Sequence, residues 1–229
     1  MTQNNNIVIG LTGGTGTGKT TICNILKGLE NSRINNTNIN SISIIDADRI
    51  GHNIIKKGTP AYNEIINYFG SDLILDNQGD QEISRKALGS IVFNDAEKLK
   101  FLTATTHKYI IAKILEDINI NKINNNNNNN NNINKDVNFI IIDAPLLIEA
   151  NLHNHADTVW IVHSDLDVRL KRLKLRDSLT EDVLLKRINN QTPFDVNKKY
   201  ADFIIINNNL DDSTLKEIII TKIKDLIVR

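Results

Sequence analysis

Eight residues, Gly13-Gly14-Thr15-Gly16-Thr17-Gly18-Lys19-Thr20, fit the pattern G-x-x-x-x-G-K-[ST] in full. Glycines at this spacing let a backbone curl until several N–H groups point inward, and inward amides suit phosphate oxygens. Lys19 supplies a long cation for the β- and γ-phosphates, and the Thr20 hydroxyl suits Mg²⁺. The chemistry read here is nucleoside triphosphate binding; the loop alone leaves open what is done with the nucleotide. A glycine-rich turn without a ligand is the competing reading. The context argues against it, because an apolar run, Ile7 to Leu11, precedes the loop and an amphipathic stretch, Thr21 to Leu29, follows. A strand, a loop and a helix N-terminus in that order place partial positive charge on the bound anion.

Phosphoryl transfer needs charge neutralisation, in-line geometry and a group that orients the attacking oxygen. Two aspartate motifs follow apolar runs: Asp46-Ala47-Asp48, and Asp143 at the head of Asp143-Ala144-Pro145-Leu146-Leu147. Asp48 is the preferred general base for a substrate hydroxyl; its other reading is a helix N-cap. Asp46 either contacts metal-bound water or caps the next helix. Asp143 either holds the water shell of the metal or closes a turn. Arg169, Arg172 and Arg176 are spaced by three and four, so they share one helical face, and Arg187 follows. Arg169 is expected on a solvated face. Arg172 and Arg176 are placed to fold over phosphates, with at least one on the nucleotide. His107 is either a packed helical residue or a substrate contact. His153, His155 and His163 lack metal-ligand spacing, and no Cys/His zinc pattern occurs.

These groups need a scaffold. Apolar runs at Ser41–Ile45, Phe139–Ile142, Thr158–Val162 and Phe203–Ile206 join the first strand, and helical stretches separate them. Helices are expected over Arg49–Phe69 with a break at Gly58-Thr59-Pro60, over Ser84–Phe93, Asp95–Ile118, Leu166–Asp177 and Thr180–Asn190, and over Asp211–Val228, capped by Asp212 or Ser213. Continuous apolar strands between helices predict a doubly wound α/β sheet of five parallel strands, covered on both faces. Ligands of such sheets bind beyond the strand carboxyl ends.

At 229 residues the chain can bury one substantial core. Lys plus Arg equals Asp plus Glu, 27 each, so no net field draws nucleic acid or a membrane surface. Cys23, the one cysteine, excludes an intramolecular disulfide and is expected as a small core residue of a reducing compartment. Met1 to Asn6 carries no basic and apolar leader pattern, and no apolar run nears the ~20 residues of a membrane span. A cytoplasmic location is expected. Asn124 to Asn132 is an unbroken homopolymer, expected as a disordered surface loop, and Asn31–Asn40 reads as a shorter polar break.

Beyond the loop, several stretches in this order resemble the dephospho-coenzyme A kinase family: Leu11 to Thr21, Ile45-Asp46-Ala47-Asp48, Gly58-Thr59-Pro60-Ala61 with Tyr68-Phe69-Gly70, Ser84 to Gly89 with Val92-Phe93-Asn94-Asp95, Pro145 to Glu149, Arg187 to Gln191, and Lys199 to Asn207. The resemblance covers nearly the whole chain. It implies a P-loop NTPase-type fold and transfer of the ATP γ-phosphoryl group to the ribose 3′-hydroxyl of dephospho-coenzyme A, with ATP and Mg²⁺ as cofactors. It implies Asp48 near that hydroxyl, the loop residues Gly13 to Thr21 with Arg172 on ATP, and Arg176 on a mobile lid. Arg85, His107 and Leu146 join Asp48 on the acceptor. The implied layout is a core (about 5–51, 136–164 and 196–229), a helical substrate-binding region (about 52–120), an Asn-rich loop (about 121–135) and a lid (about 165–195). Lys108 replaces the proline usual after the family's histidine, and Asn207-Asn208-Asn209 stands where a glycine is common. Two other readings are another small-molecule kinase on the same scaffold and a nucleotide switch without an acceptor. A guanine-reading Asn-Lys-x-Asp is absent.

Overall fold

The computed structural model describes residues 6–75, 82–93, 95–128 and 136–228. The expectations on Met1–Asn5, Asn94 and Asn129–Asn132 lie outside them. The described elements are, in chain order, β1 (Asn6–Gly13), α1 (Lys19–Lys27), β2 (Arg33–Ile34), β3 (Thr37–Asp46), α2 (Ala47–Ile54), α3 (Pro60–Phe69), β4 (Ile74–Leu75), β5 (Glu82–Ile83), α4 (Arg85–Phe93), α5 (Ala96–Asn128), β6 (Asp136–Asp143), β7 (Thr158–His163), α6 (Leu166–Asp177), α7 (Glu181–Asn189), α8 (Phe194–Asn197), β8 (Phe203–Ile206) and α9 (Asp212–Val228). The chain divides into two compact units, one of residues 1–45 with 118–229 and one of residues 46–117.

The first unit is built on a sheet of order β2-β3-β6-β1-β7-β8. β1 is central, parallel to β6 and β7, and β7 is parallel to β8. Both faces of the central strands are covered, which is why Ile140, Ile141 and Ile142 are all buried in succession rather than alternating. One face packs Ile22, Cys23 and Leu26 of α1 with Leu215, Ile219, Ile223 and Leu226 of α9 against Ile9, Phe139 and Trp160. The spacing of the α9 residues by four, four and three puts them on one apolar stripe of that helix.

The sheet has six strands, not the expected five. The extra strand lies in the segment read as a polar break. Ile34 pairs with Thr37 across a two-residue turn, and both turn residues, Asn35 and Asn36, have positive φ, 49° and 59°. That is the geometry a tight hairpin requires, and asparagine tolerates it. At the outer edge of β3, Lys27 and Glu30 form an ion pair of 2.8 Å. Glu30 accepts from the Ile42 amide at 3.0 Å, and Lys27 donates to the Ile42 carbonyl at 2.6 Å. The amide and the ammonium together hold the Glu30 carboxyl below its ordinary pKa.

A second correction concerns the asparagine tract. Residues 121–128 continue helix α5 where a loop was expected. Asn121 and Asn125 extend the stripe of Ile114 and Ile118, but they meet polar partners. Ser43 donates to Asn121 at 2.6 Å, Ser41 donates to Asn125 at 3.0 Å, and Asn125 donates to Asn6 at 2.9 Å. Paired side chains let a polar stripe bury where an apolar one would otherwise be needed.

A third correction is the cap of α9. Asp211, not Asp212 or Ser213, accepts from the Thr214 amide at 2.8 Å, the bond of an N-cap. The Ser213 hydroxyl, that amide and the Thr214 hydroxyl push the Asp211 carboxyl down to about 2.

The second unit is mainly helical. Leu73, Ile83, Leu88 and Val92 bury around Tyr62 and Ile65 of α3. The antiparallel β4–β5 pair is an element the expectation of helices alone omitted. Thr59 caps α3, accepting from the Tyr62 amide at 3.2 Å, with Pro60 opening the helix. Among the described residues no helix is long and apolar enough to cross a membrane.

Candidate active site

The phosphate loop joins the central strand to α1. Gly16 and Gly18 have φ of 83° and 97°, conformations that a Cβ disfavours. Thr17 is buried and closes the turn, its amide and hydroxyl donating to the Gly14 carbonyl at 3.2 and 2.8 Å. Both donors of Thr17 are thus engaged within the loop itself. The Thr15 amide is also taken, by the side-chain oxygen of Gln191 at 2.9 Å. The amides of Gly16, Gly18, Lys19 and Thr20 have no acceptor among the described residues. The first turn of α1 holds no acidic residue that would compete with an anion. Four unfilled donors at a helix N-terminus form an anion cradle. Lys19 is half-buried and makes no hydrogen bond or ion pair among the described residues, so its charge is uncommitted. Thr20 is exposed and Thr21 half-buried on the same turn.

Asp143 ends β6 as the register partner of Leu11 on β1, and Cys23 donates to it at 3.5 Å. Thr12 donates to the Pro145 carbonyl at 3.2 Å, which sets Leu146, itself exposed, beside the start of the loop. A cleft of about 610 Å³ opens there, with Thr12 to Gly14, Leu146 and the stacked rings of His163 and Phe194 in its wall. Burial holds the His163 imidazole below its ordinary pKa, with Asp165 opposing that shift. Among the described residues no group of three or more His, Cys, Asp or Glu gathers as a metal cluster. The oxygens of Thr20 and Asp143 are hard donors of the kind Mg²⁺ accepts alongside phosphate and water, and the fit rests on that donor chemistry.

The lid arginines divide differently from expectation. Arg169, expected in solvent, is half-buried, and its Nε donates to the Thr15 carbonyl at 2.8 Å. Desolvation lowers its pKa. Arg172 spends its donors on protein acceptors: the Gly16 and Thr17 carbonyls at 3.4 and 3.3 Å, Ser164 at 3.1 Å, and the Asn207 carbonyl and side-chain oxygen at 3.1 and 3.2 Å. It braces the loop through the Gly16 and Thr17 carbonyls. Arg176 lies 61% exposed and pairs with Asp177 at 2.6 Å; Arg187 reaches the same carboxylate at 2.8 Å. Arg176 above all holds the Asp177 carboxyl below its usual range. Leu173, Leu184 and Ile188 pack α6 and α7 together.

Asp48, Arg85 and His107 belong to the second unit. Asp46 caps α2, accepting from the Arg49 amide at 2.9 Å. Asp48 is therefore released from the N-cap reading. It is exposed in the first turn of α2 and has no hydrogen-bond or ion-pair partner among the described residues. Arg85 opens α4 and donates to the His52 carbonyl at 3.5 Å. His107 is half-buried on α5.

Sequence reasoning missed Gln191, Ser164 and Asn207 as loop contacts. Gln191 and Asn207 each end a stretch that carries the family resemblance, which is their one signal, and the asparagines beside Asn207 mask it.

A mostly parallel α/β sheet carrying an anion cradle on its central strand defines a P-loop kinase. Residues 7–212 match the family model of dephospho-CoA kinase. The chain is 34% identical over 212 residues to the dephospho-CoA kinase of Carboxydothermus hydrogenoformans, covering 93% of this chain and 91% of that one. It is 35% identical over 208 residues to that of Oceanobacillus iheyensis, covering 91% and 92%. The solved dephospho-CoA kinase from Campylobacter jejuni aligns with a TM-score of 0.62 at 28% identity over 96% of this chain and 98% of that one. A Thermus thermophilus crystal structure shares the fold, with a TM-score of 0.71 at 21% identity, covering 96% and 98%. The chain belongs to the dephospho-CoA kinase family.

Proposed function

We propose that this chain transfers the γ-phosphoryl group of ATP to the ribose 3′-hydroxyl of dephospho-CoA, the last step of CoA synthesis. The observation that carries the reading is the cradle: four unfilled amides beside an uncommitted Lys19, in a chain of this family. Gly13 to Thr21 wrap the triphosphate, and Lys19 neutralises its terminal phosphates. Thr20 and Asp143, the latter through water, would hold Mg²⁺, which supplies charge neutralisation on the phosphate oxygens when bound. Asp48 accepts the proton of the attacking hydroxyl. The new O–P bond forms as the β,γ-bridging P–O bond breaks, and that electron pair leaves on ADP. Arg176 leaves Asp177 to meet the transferring group. Arg85, His107 and Leu146 contact the acceptor, and the helical region and lid act as its holder and cover. The buried Cys23 thiol, the one cysteine of the sequence, supports work in the reducing cytoplasm.

The test is ADP release by the purified protein with dephospho-CoA, set against nucleoside monophosphates and sugar acids. Release that rises with dephospho-CoA alone supports the reading. A faster rate with another acceptor makes the chain a different small-molecule kinase, and release indifferent to every acceptor makes it a nucleotide switch.

A further inference from the structure

Thr15, at the apex of the phosphate loop, has three polar groups, and all three are held from the lid. Its amide donates to Gln191 Oε1 at 2.9 Å. Its hydroxyl oxygen accepts from Gln191 Nε2 at 3.1 Å. Its carbonyl accepts from Arg169 Nε at 2.8 Å. Arg169 Nη2 then donates to the same Gln191 Oε1 at 3.1 Å and closes the ring. Only one orientation of the Gln191 amide serves this ring. Turned over, its NH₂ would face two donors, the Thr15 amide and the guanidinium. Gly14 leaves the room required, since a Cβ there would stand 2.6 Å from Arg169 Nη2. The two partners come from different parts of the lid. Arg169 sits on α6, and Gln191 lies two residues beyond α7.

We propose that Arg169 and Gln191 are positioning residues that fix the apex of the phosphate loop and tie its placement to that of the lid. Neither side chain is needed to touch the transferring phosphoryl group. They act through Thr15, whose neighbours Gly16 and Gly18 carry cradle amides. The amides must meet the phosphates in one geometry, and displacement by about 1 Å at such a site can cost ~10²-fold in rate. The effect on turnover rests on the proposed dephospho-CoA kinase activity; the effect on nucleotide binding does not.

The test uses the full chain and a β,γ-imido analogue of ATP, titrated calorimetrically, beside steady-state kinetics and thermal melting. Gln191→Ala removes the hub of the ring, and binding is expected to weaken about tenfold, the scale of one lost charge-assisted hydrogen bond. The kcat should fall by a similar factor while the KM for dephospho-CoA stays within about twofold, because the acceptor is not what moved. Arg169→Ala should behave alike, and the double variant should be hardly worse than either single one, since one ring is broken in each. Analogue affinity within about twofold of wild type in Gln191→Ala, or losses that multiply in the double variant, overturns the proposal. Should an alanine variant fail to fold, Thr15→Val deletes one member of the ring at equal volume. Weaker binding there supports the brace and unchanged binding overturns it. A wild-type protein that binds the analogue but ignores dephospho-CoA would end the functional reading and leave this test standing.

Discussion

Asn207 Nδ2 lies 2.9 Å from the carbonyl oxygen of Thr17, so the residue just past β8 holds the phosphate loop from behind. The same residue accepts from Ser164 at 2.6 Å and from Arg172 through its carbonyl. Gly18 must be glycine beside it: its φ is +97°, and a Cβ would stand 2.4 Å from Asn207 Nδ2. Asn207→Ala removes the shortest of the bonds to the Thr17 carbonyl and one acceptor of Arg172, and a loss of about 1 kcal/mol in urea-melt stability is expected, together with weaker ATP binding. Stability and affinity both unchanged would remove Asn207 from the loop's support.

Among the described residues Lys19 has no protein partner to lose. Lys19→Ala should therefore abolish turnover while the melting temperature stays close to wild type. A large fall in melting temperature would show a structural role instead.

Asp46 does the capping of α2, and Asp48 has no partner among the described residues. Asp48→Asn keeps the shape and removes the proton acceptor. The kcat should fall on the order of 10²-fold or more with ATP affinity nearly constant. Near-normal turnover would strip Asp48 of the base role.

Asn125 is 7% exposed and bridges α5 to Asn6 and Ser41. Asn125→Ala is expected to cost about 1 kcal/mol in denaturant unfolding, the scale of the lost buried bond to Asn6, since Ser41 keeps Asn138 as an acceptor at 2.9 Å. The kcat should not change. An equally stable variant would mean that the polar stripe contributes nothing.

Asp211 offers a pH test with a definite sign. Its carboxyl is held at about 2 by the Ser213 hydroxyl, the Thr214 amide and the Thr214 hydroxyl. A depressed carboxyl stabilises the fold above its unfolded value of 3.8 and loses that contribution as pH falls through about 2. The stability difference between wild type and Asp211→Ala should therefore be constant above that value and shrink towards pH 2. A difference that does not vary with pH would assign the cap's effect to something other than charge.

Much of this architecture is legible in order of residue type. The apolar run Phe139–Ile142 falls within β6, a strand buried on both faces that announces itself by hydrophobicity alone, and Phe203–Ile206 coincides with β8, which keeps the apolar run although Ile204 and Ile206 are exposed at the sheet edge. The cradle is legible because its glycines and lysine are close in sequence. What stays hidden has two causes. The β2–β3 hairpin and the last turns of α5 are written in asparagine, which carries no apolar period and whose turn geometry is lost among so many copies. The supports of the loop are hidden by distance: Thr15 to Gln191 and Thr17 to Asn207 span 176 and 190 residues, and such pairings have no local signature. Arg169 and Arg172 share the predicted face, but spacing cannot say whether a guanidinium meets water, phosphate or a carbonyl.

The pair Lys27 and Glu30 has a consequence for the molecule's neighbours. An arriving peptide that tried to zip onto the flank of β3 would find the Ile42 amide and carbonyl already occupied by two fixed charges. Unclaimed flanks are where sheets recruit foreign strands and grow into fibres. With both backbone groups of Ile42 claimed by side chains, that stretch of β3 offers an incoming strand no donor and acceptor to pair with.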